Sequence, residues 1–323
     1  MEPAPAPRPR PGCPLPAVVV NPSNINDLAR VRTQITRVCR ELGWAEPLWL
    51  ETSVEDPGEG QAKAALAAGA DVVLACGGDG TVRHVAQVLA GSGTALGLLP
   101  TGTANLLARN LAIKLDDPAG ATRIALSGNS RAIDVGRMTI DDHPEDLVFL
   151  VMAGMGFDAA IMAGAHHKSK ARLGSLAYFI AGVIAGVRAL KKQRVRIMLV
   201  VDGQPELHRQ VRTVVVGNCG KLLAGLVLMP AAKMDDGLLD VVAIAPRSIR
   251  GWLGVTARVM SRRLSGHRIV QHWQGGTIVI AAEEPEQAQL DGDPVGEVRM
   301  LRIRVDRGAL LVRVPSGAES IRR

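Results

Sequence analysis

The sequence predicts an α/β domain followed by a second, mainly β domain of the sandwich type. Three observations predict it. Short apolar runs that end in turns alternate with helical patterns up to about residue 130, the signature of a parallel sheet with helices on its faces. Beyond that point strand patterns succeed one another, separated more by loops than by helices. The chain has 323 residues, more than one domain usually holds, and is 47% apolar with few aromatics. Two cores built from Val, Leu, Ile, Ala and Met are therefore expected.

In chain order, residues 1–16 form a proline-rich lead without an apolar centre, read as disordered and not as a signal peptide. The α/β domain is expected over 17–130. Ala17 to Val20 is its first buried strand and ends at Asn21-Pro22. Ser23 or Asn24 can cap the helix that follows, which runs to about Leu42 with Leu28, Val31, Ile35 and Val38 on one face. Trp44 to Leu50 reads as a strand, Thr52 to Gly60 as a loop and Gln61 to Ala68 as a small alanine-rich helix.

The next stretch organises the domain. Val72 to Ala75 is a buried strand, and Gly77, Gly78, Asp79, Gly80 and Thr81 form a sharp turn that carries one acid. Leu96 to Leu99 is a second buried strand, followed by Pro100, Thr101, Gly102, Thr103 and a helix through Asn110. Glycines let the backbone approach phosphate oxygens, and a following helix aims N–H groups at the anion. Two such units in tandem indicate a phosphate-binding centre; two ordinary strand-to-helix turns are the alternative. Neither the Walker nor the dinucleotide glycine pattern is present. Pro118 to Leu126 closes the domain as a helix.

The β domain is expected over 131–316, with 317–323 as a tail and the last strand either staying in it or returning to the first domain. Its strands are Ala132 to Ile140, Leu147 to Ala153, Val195 to Val201, Val211 to Val216, Leu238 to Ile244, a strand at Ile269, Thr277 to Ala281, Gln287 to Asp291, Val298 to Val305 and Leu310 to Val314. Arg299, Arg302 and Arg304 alternate with Met300, Leu301, Ile303 and Val305 with one step out of phase, the mark of a bulge. Leu173 to Val187 is uncharged and flanked by Lys168, Lys170, Arg172, Arg188, Lys191 and Lys192. It is too short to span a bilayer. It reads either as a helix half-buried on the sheets or as a surface for an anionic membrane or lipid tail. A basic helix over Ser248 to Leu264 reads as a solvated face.

The net charge of +7 is spread along the chain and favours anionic partners, nucleotide phosphates or an acidic membrane surface. Without a recognition helix, zinc signature or aromatic platform, nucleic acid is not an expected partner. Cys13, Cys39, Cys76 and Cys219 lack paired spacing, which argues against a disulfide scaffold or a zinc site and for a reducing compartment.

GGDGT at Gly77 to Thr81 followed by PTGTANLLARN from Pro100 resembles the catalytic domain of diacylglycerol kinases and of bacterial YegS-like and DgkB-like lipid kinases. These are relatives of sphingosine kinases and, more distantly, of NAD kinases and phosphofructokinases. Asn21-Pro22, the segment Gly154, Gly156, Phe157 and Asp158, Gly217-Asn218, MDDGLL at Met234 to Leu239 and LDGD at Leu290 to Asp293 extend the resemblance over nearly the whole chain. It implies an α/β nucleotide-binding domain and a β-sandwich, with ATP and Mg²⁺ in a cleft. By motif match it implies that Asn21, Thr52, Gly77, Gly78, Asp79, Gly80, Thr81 and Thr103 line the nucleotide. Asp79 would also be tied to the catalytic metal. Asp291 would take the proton of a lipid hydroxyl with Asp293 beside it. Asp236 and the backbone carbonyls of Lys233 and Leu238 would hold a second, structural Mg²⁺.

Unaided by the resemblance, LDGD reads equally as an exposed hairpin turn, and Asp134 and Asp158 as structural caps. The chain departs from the pattern twice: Arg83-His84 replaces the Asn-Glu of many relatives, and Asp293 a usual Glu. The expected function is an ATP-dependent lipid kinase acting on a diacylglycerol-like hydroxyl. An NAD kinase-like or sphingoid- or ceramide-type kinase is the alternative, and a non-catalytic nucleotide-binding regulator at the membrane is another. The expected setting is the cytoplasm, with peripheral attachment to the inner face of the membrane; a homodimer is among the expected assemblies.

Overall fold

The computed structural model describes residues 12–156, 194–221, 227–246 and 270–316. The stretch from Leu173 to Val187 with its basic flanks, the helix over Ser248 to Leu264, Phe157, Asp158 and Ile269 lie outside the described residues, as do residues 1–11 and 317–323. Two compact units emerge, one of Met1–Ile133 with Gly308–Arg323, the other of Asp134–Arg307.

In the first unit, β1 (Pro16–Val20), β2 (Leu48–Glu51), β3 (Val72–Gly77) and β4 (Ala95–Pro100) form a parallel sheet in the order β2-β1-β3-β4. The end of β14 (Asp293–Val314) adds a parallel neighbour to β4 through Val312 and Leu96. Every residue of β1, β3 and β4 is buried, as in a parallel sheet covered on both faces. Each Val or Leu so buried contributes about 1.5–3 kcal/mol. The crossovers are α1 (Leu28–Glu41), α2 (Glu59–Ala67), α3 (Asp79–Leu89) and α5 (Pro118–Ser127), with α4 (Leu106–Asn110) a single short turn after β4.

Asp27, not Ser23 or Asn24, caps α1, accepting from the Arg30 N–H; residues Pro22–Asn24 form a separate 3-10 turn that Asn21 caps. The strand expected from Trp44 contracts to Leu48–Glu51. Cys13, Cys39, Cys76 and Cys219 are free thiols. Burial pushes Cys39 up to about 11 and Cys76 up to about 12, which leaves both unreactive at neutral pH.

The second unit centres on β13 (Thr277–Leu290), which pairs antiparallel with β14, β7 (Met152–Met155) and β8 (Val195–Val201). From β7 the order continues through β10 (Thr213–Gly217), β11 (Leu239–Ile244) and β12 (Val270–Gly275). β9 (Leu207–Val211) pairs with β8, and β6 (Leu147–Phe149) with β5 (Asn129–Ile140). Phe149, Met155, Leu199, Val241, Ile280 and Leu301 belong to its core. The chain passes between the units in β5 and again in β14.

Thr277 to Asp291 is nearly one strand where two were expected, and β14 likewise joins two. The register shift lies between Ala281–Met300 and Glu286–Val298, so extra residues of β13 bulge opposite Arg299, where the alternation slips. Val211 to Val216 divides instead at Arg212 into β9 and β10. Leu147 to Ala153 also divides, at Leu150 and Val151. At that break the N–H groups of Leu150, Val151 and Met152 donate to the Asp291 carboxylate and not to a neighbouring strand.

Candidate functional site

The carboxyl ends of β1, β3 and β4 share one edge of the first unit's sheet, the edge at which doubly wound sheets bind ligands. Asn21, Thr52 and Thr101 each continue the ladder by one bond, to Cys76, Val20 and Gly77 respectively. The turn expected at Gly77 to Thr81 is tighter than a loop: β3 runs through Gly77, Gly78 is the N-cap, and Asp79, Gly80 and Thr81 are the first turn of α3. No side chain caps α3 among the described residues, so its first N–H groups suit an anion.

The second glycine turn packs onto the first. A Cβ on Gly102 would lie 2.5 Å from the Gly78 Cα, and one on Gly77 2.5 Å from Thr81 Oγ1. Asp79 Oδ1 accepts from the Leu106 N–H at 2.6 Å, so the acid of the first turn caps the helix after the second. Asn105, 4% exposed and left-handed at φ 46°, closes that second turn, accepting from the Gly102 N–H and donating to its carbonyl. Asn105 and Thr101, whose hydroxyl is buried without a partner among the described residues, escaped sequence reasoning as individual residues. The taste of Asn for left-handed turns is the signal for Asn105. Thr103 is exposed on the rim.

Arg83 and His84 were noted only as departures. Arg83 is buried and lies 3.2 Å from His84 Nε2, while His84 Nδ1 lies 3.1 Å from Glu59 Oε1. An arginine that donates to Nε2 leaves the imidazole proton on Nδ1, facing Glu59.

In the second unit LDGD is indeed a two-residue hairpin turn, with Asp291 at φ 50° and Gly292 at φ 96° and Leu290 paired to Asp293. Yet Asp291 is only 7% exposed. Its Oδ2 accepts from the Leu150 N–H at 2.9 Å, and its Oδ1 from Val151 at 2.8 Å and Met152 at 2.9 Å. The turn that reads as exposed thus carries its acid inward. Asp293 is half-buried at the start of β14.

Asp134 is a structural cap, buried with Oδ2 on the Gly237 N–H at 2.7 Å. This holds the turn in which exposed Asp236 accepts from the Leu238 N–H at 3.1 Å. No group of three or more His, Cys, Asp or Glu able to hold a metal occurs among the described residues. A site at Asp236 would consist of one carboxylate, the carbonyls of Lys233 and Leu238, and water. That hard-oxygen set fits Mg²⁺. Asp79, whose Oδ1 accepts from the Leu106 N–H, is likewise a hard-oxygen donor of the kind that suits Mg²⁺.

Residues 16–138 match the diacylglycerol kinase catalytic domain, and residues 151–314 the YegS C-terminal NAD kinase beta sandwich-like domain. A YegS-like lipid kinase of Pseudomonas aeruginosa is 35% identical over 263 residues, 80% of this chain and 81% of the relative. The chain belongs to the diacylglycerol kinase catalytic-domain family. A diacylglycerol kinase of Mycobacterium tuberculosis is 35% identical over 55% of this chain and 56% of its own. Among solved structures, a diacylglycerol kinase from Bacillus anthracis superposes with a TM-score of 0.67 at 20% identity, covering 93% of this chain and 96% of that one. An NAD kinase from Archaeoglobus fulgidus in complex with ATP gives 0.51 at 14% identity, over 94% and 95% of the two chains. At such identities these two show the fold alone. Within this kinase family the span to 138 contains the paired glycine turns, and the span from 151 contains Asp236, Asp291 and Asp293.

Proposed function

We propose that this chain is an ATP-dependent lipid kinase that transfers the γ-phosphate to the hydroxyl of a diacylglycerol-like lipid. The observation that carries the reading is the contact of the two glycine turns, tied by Asp79 and Leu106 beneath the uncapped start of α3. Backbone N–H groups there receive triphosphate oxygens, with Asn21, Thr52 and Thr103 on the same sheet edge. Asp79 would hold Mg²⁺, which would neutralise charge on the phosphate oxygens. Asp291 orients the acceptor hydroxyl and takes its proton. In a loose transition state the acceptor oxygen has formed little bond, so a held carboxylate that aligns it suffices. The test is transfer of labelled γ-phosphate from ATP with Mg²⁺ to diacylglycerol, phosphatidylglycerol, sphingoid bases and ceramide. Labelled diacylglycerol is expected; label in NAD and in no lipid would overturn the reading, and nucleotide binding without any product would leave a regulator.

Access to such a substrate is peripheral. No helix among the described residues is long and apolar enough to cross a membrane. The uncharged stretch from Leu173 to Val187 and its basic flanks, outside the described residues, supply an anionic-surface contact at about 1 kcal/mol per basic residue. Sedimentation with phosphatidylglycerol vesicles should show binding that high salt weakens, and that Arg188→Glu with Lys191→Glu and Lys192→Glu weakens further. Equal binding by the triple variant would remove this stretch from the reading.

A further inference from the structure

We propose that Asn218 is a positioning residue that fixes the Asp291 carboxylate through the backbone of Leu150 to Met152. This rests on the role given to Asp291 above. The three N–H groups of that segment all point at Asp291. Its carbonyls are held from the other side. Leu150 O accepts from Asn218 Nδ2 at 3.3 Å and from Cys219 Sγ at 3.3 Å. Val151 O accepts from the backbone N–H of Asn218 at 2.9 Å and of Cys219 at 3.4 Å, and Met152 O from the Asp291 N–H at 2.7 Å. Each peptide group of the break between β6 and β7 is therefore pinned on both sides.

Through one planar amide, Asn218 ties the break to β5. It is 0% exposed, and its Nδ2 also donates to the Asp134 carbonyl of β5 at 2.7 Å. The residue follows directly on β10, whose Gly217 is in register with Met152, so its backbone cannot drift from the segment it holds. Its Oδ1 is buried without a hydrogen-bond partner among the described residues. A buried carbonyl oxygen without a donor costs stability, which an apolar side chain would avoid. The amide supplies two donors where Asp offers none and would set oxygens against two carbonyls, while Ala removes one donor from each carbonyl and leaves Leu150 O to the weaker Cys219 thiol. Sequence reasoning singled out Gly217-Asn218 but gave it no role. Holding Asp291 is such a role, since phosphoryl transfer depends on placing the acceptor-aligning group closely, and such a group needs a supporting layer whose own bonds are met.

The experiment combines amide exchange with a double-mutant cycle on the full chain, assayed with dioleoylglycerol and ATP·Mg²⁺. Asn218→Ala should speed exchange at Val151 and Met152 by about tenfold or more while Leu199 and Ile280 exchange as in the parent. It should lower kcat about tenfold with KM for ATP within about twofold, and lower it less than about twofold further once Asp291→Asn is present. Unchanged exchange at Leu150 to Met152, or an equal loss of kcat in both backgrounds, overturns the proposal. If Asn218→Ala does not fold, Asn218→Ser is read in the same way; if neither folds, Asn218 serves the fold and not Asp291, and the proposal is wrong. Full activity of Asp291→Asn alone would instead sink the role of Asp291, and exchange would still decide whether Asn218 holds the segment.

Discussion

Asp79 and Leu106, 27 positions apart in sequence, are joined by a 2.6 Å hydrogen bond from the Leu106 N–H to Asp79 Oδ1. One carboxylate caps α4 and, in the proposed kinase, would also face the nucleotide's metal. Substitutions separate the two tasks. Asp79→Asn retains an acceptor for Leu106 and should fold within about 0.5 kcal/mol of the parent, yet lose about 10²–10³-fold in kcat. Asp79→Ala should lose activity equally and about 0.5–2 kcal/mol of stability besides, as an N-cap deletion does. Urea titrations and initial rates check both; equal stability of the two variants would deny the capping task.

Gly102 and Gly78 make the second relationship. A methyl on Gly102 meets the Gly78 Cα at 2.5 Å, with backbone on both sides and no flexible side chain to yield. Gly102→Ala should cost about 1–3 kcal/mol by overpacking and raise KM for ATP by about tenfold, because the turns that cradle phosphate are forced apart. Gly276→Ala is the control. Its new Cβ has nothing nearer than 3.7 Å, and both stability and KM should stay close to the parent's.

These relationships show what was legible in the sequence and what was not. Val72 to Ala75 and Leu96 to Leu99 announce buried strands by composition alone, and the glycines after them announce close approach, so the α/β unit and its paired glycine turns were readable. That the two turns touch was not, because Gly102 and Gly78 are brought together by strand pairing, a non-local event. LDGD shows the limit most clearly. Asp-Gly correctly predicts a two-residue hairpin, but only the break at Leu150 and Val151, distant in sequence, turns Asp291 inward. The same break divided a run that local pattern reads as one strand. Asp27 won the α1 cap over Ser23 and Asn24 because Pro22–Asn24 had already closed into its own turn under Asn21.

His272 of β12 gives the second unit a pH signature. Burial lowers its pKa, and its Nε2 is buried without a hydrogen-bond partner among the described residues. A folded-state value below the usual 6.5 means that the unfolded chain binds more protons in the window just under that value. Stability is then fully present at neutral pH and declines as pH falls through the window, until the folded-state pKa is passed. His272→Phe removes the group, so thermal midpoints of parent and variant should diverge in the variant's favour as pH falls from neutral through the usual histidine range. Parallel curves would mean that His272 protonates in the fold without cost.

The Asp236 turn makes the last prediction, which concerns Mg²⁺ and stability instead of turnover. Asp134 holds Gly237 through a buried 2.7 Å bond, so the turn is formed before any ion arrives. Asp236 itself is exposed and, among the described residues, accepts from the Leu238 N–H of its own loop at 3.1 Å. Removing its carboxylate should therefore cost little in the absence of metal: parent and Asp236→Ala should melt at nearly the same temperature in chelator. An ion that binds only the folded chain adds RT ln(1 + [L]/Kd), about 1.4 kcal/mol at ten times Kd. For a unit of this size that is roughly 3–6 °C in Tm. The parent should gain that shift on addition of Mg²⁺, and Asp236→Ala should not. Asp79→Asn should keep it, because its carboxylate belongs to the other unit and the other ion. A shift of equal size in parent and Asp236→Ala would place the stabilising Mg²⁺ elsewhere in the chain. A large loss of stability for Asp236→Ala already in chelator would show that the carboxylate serves the turn and not an ion.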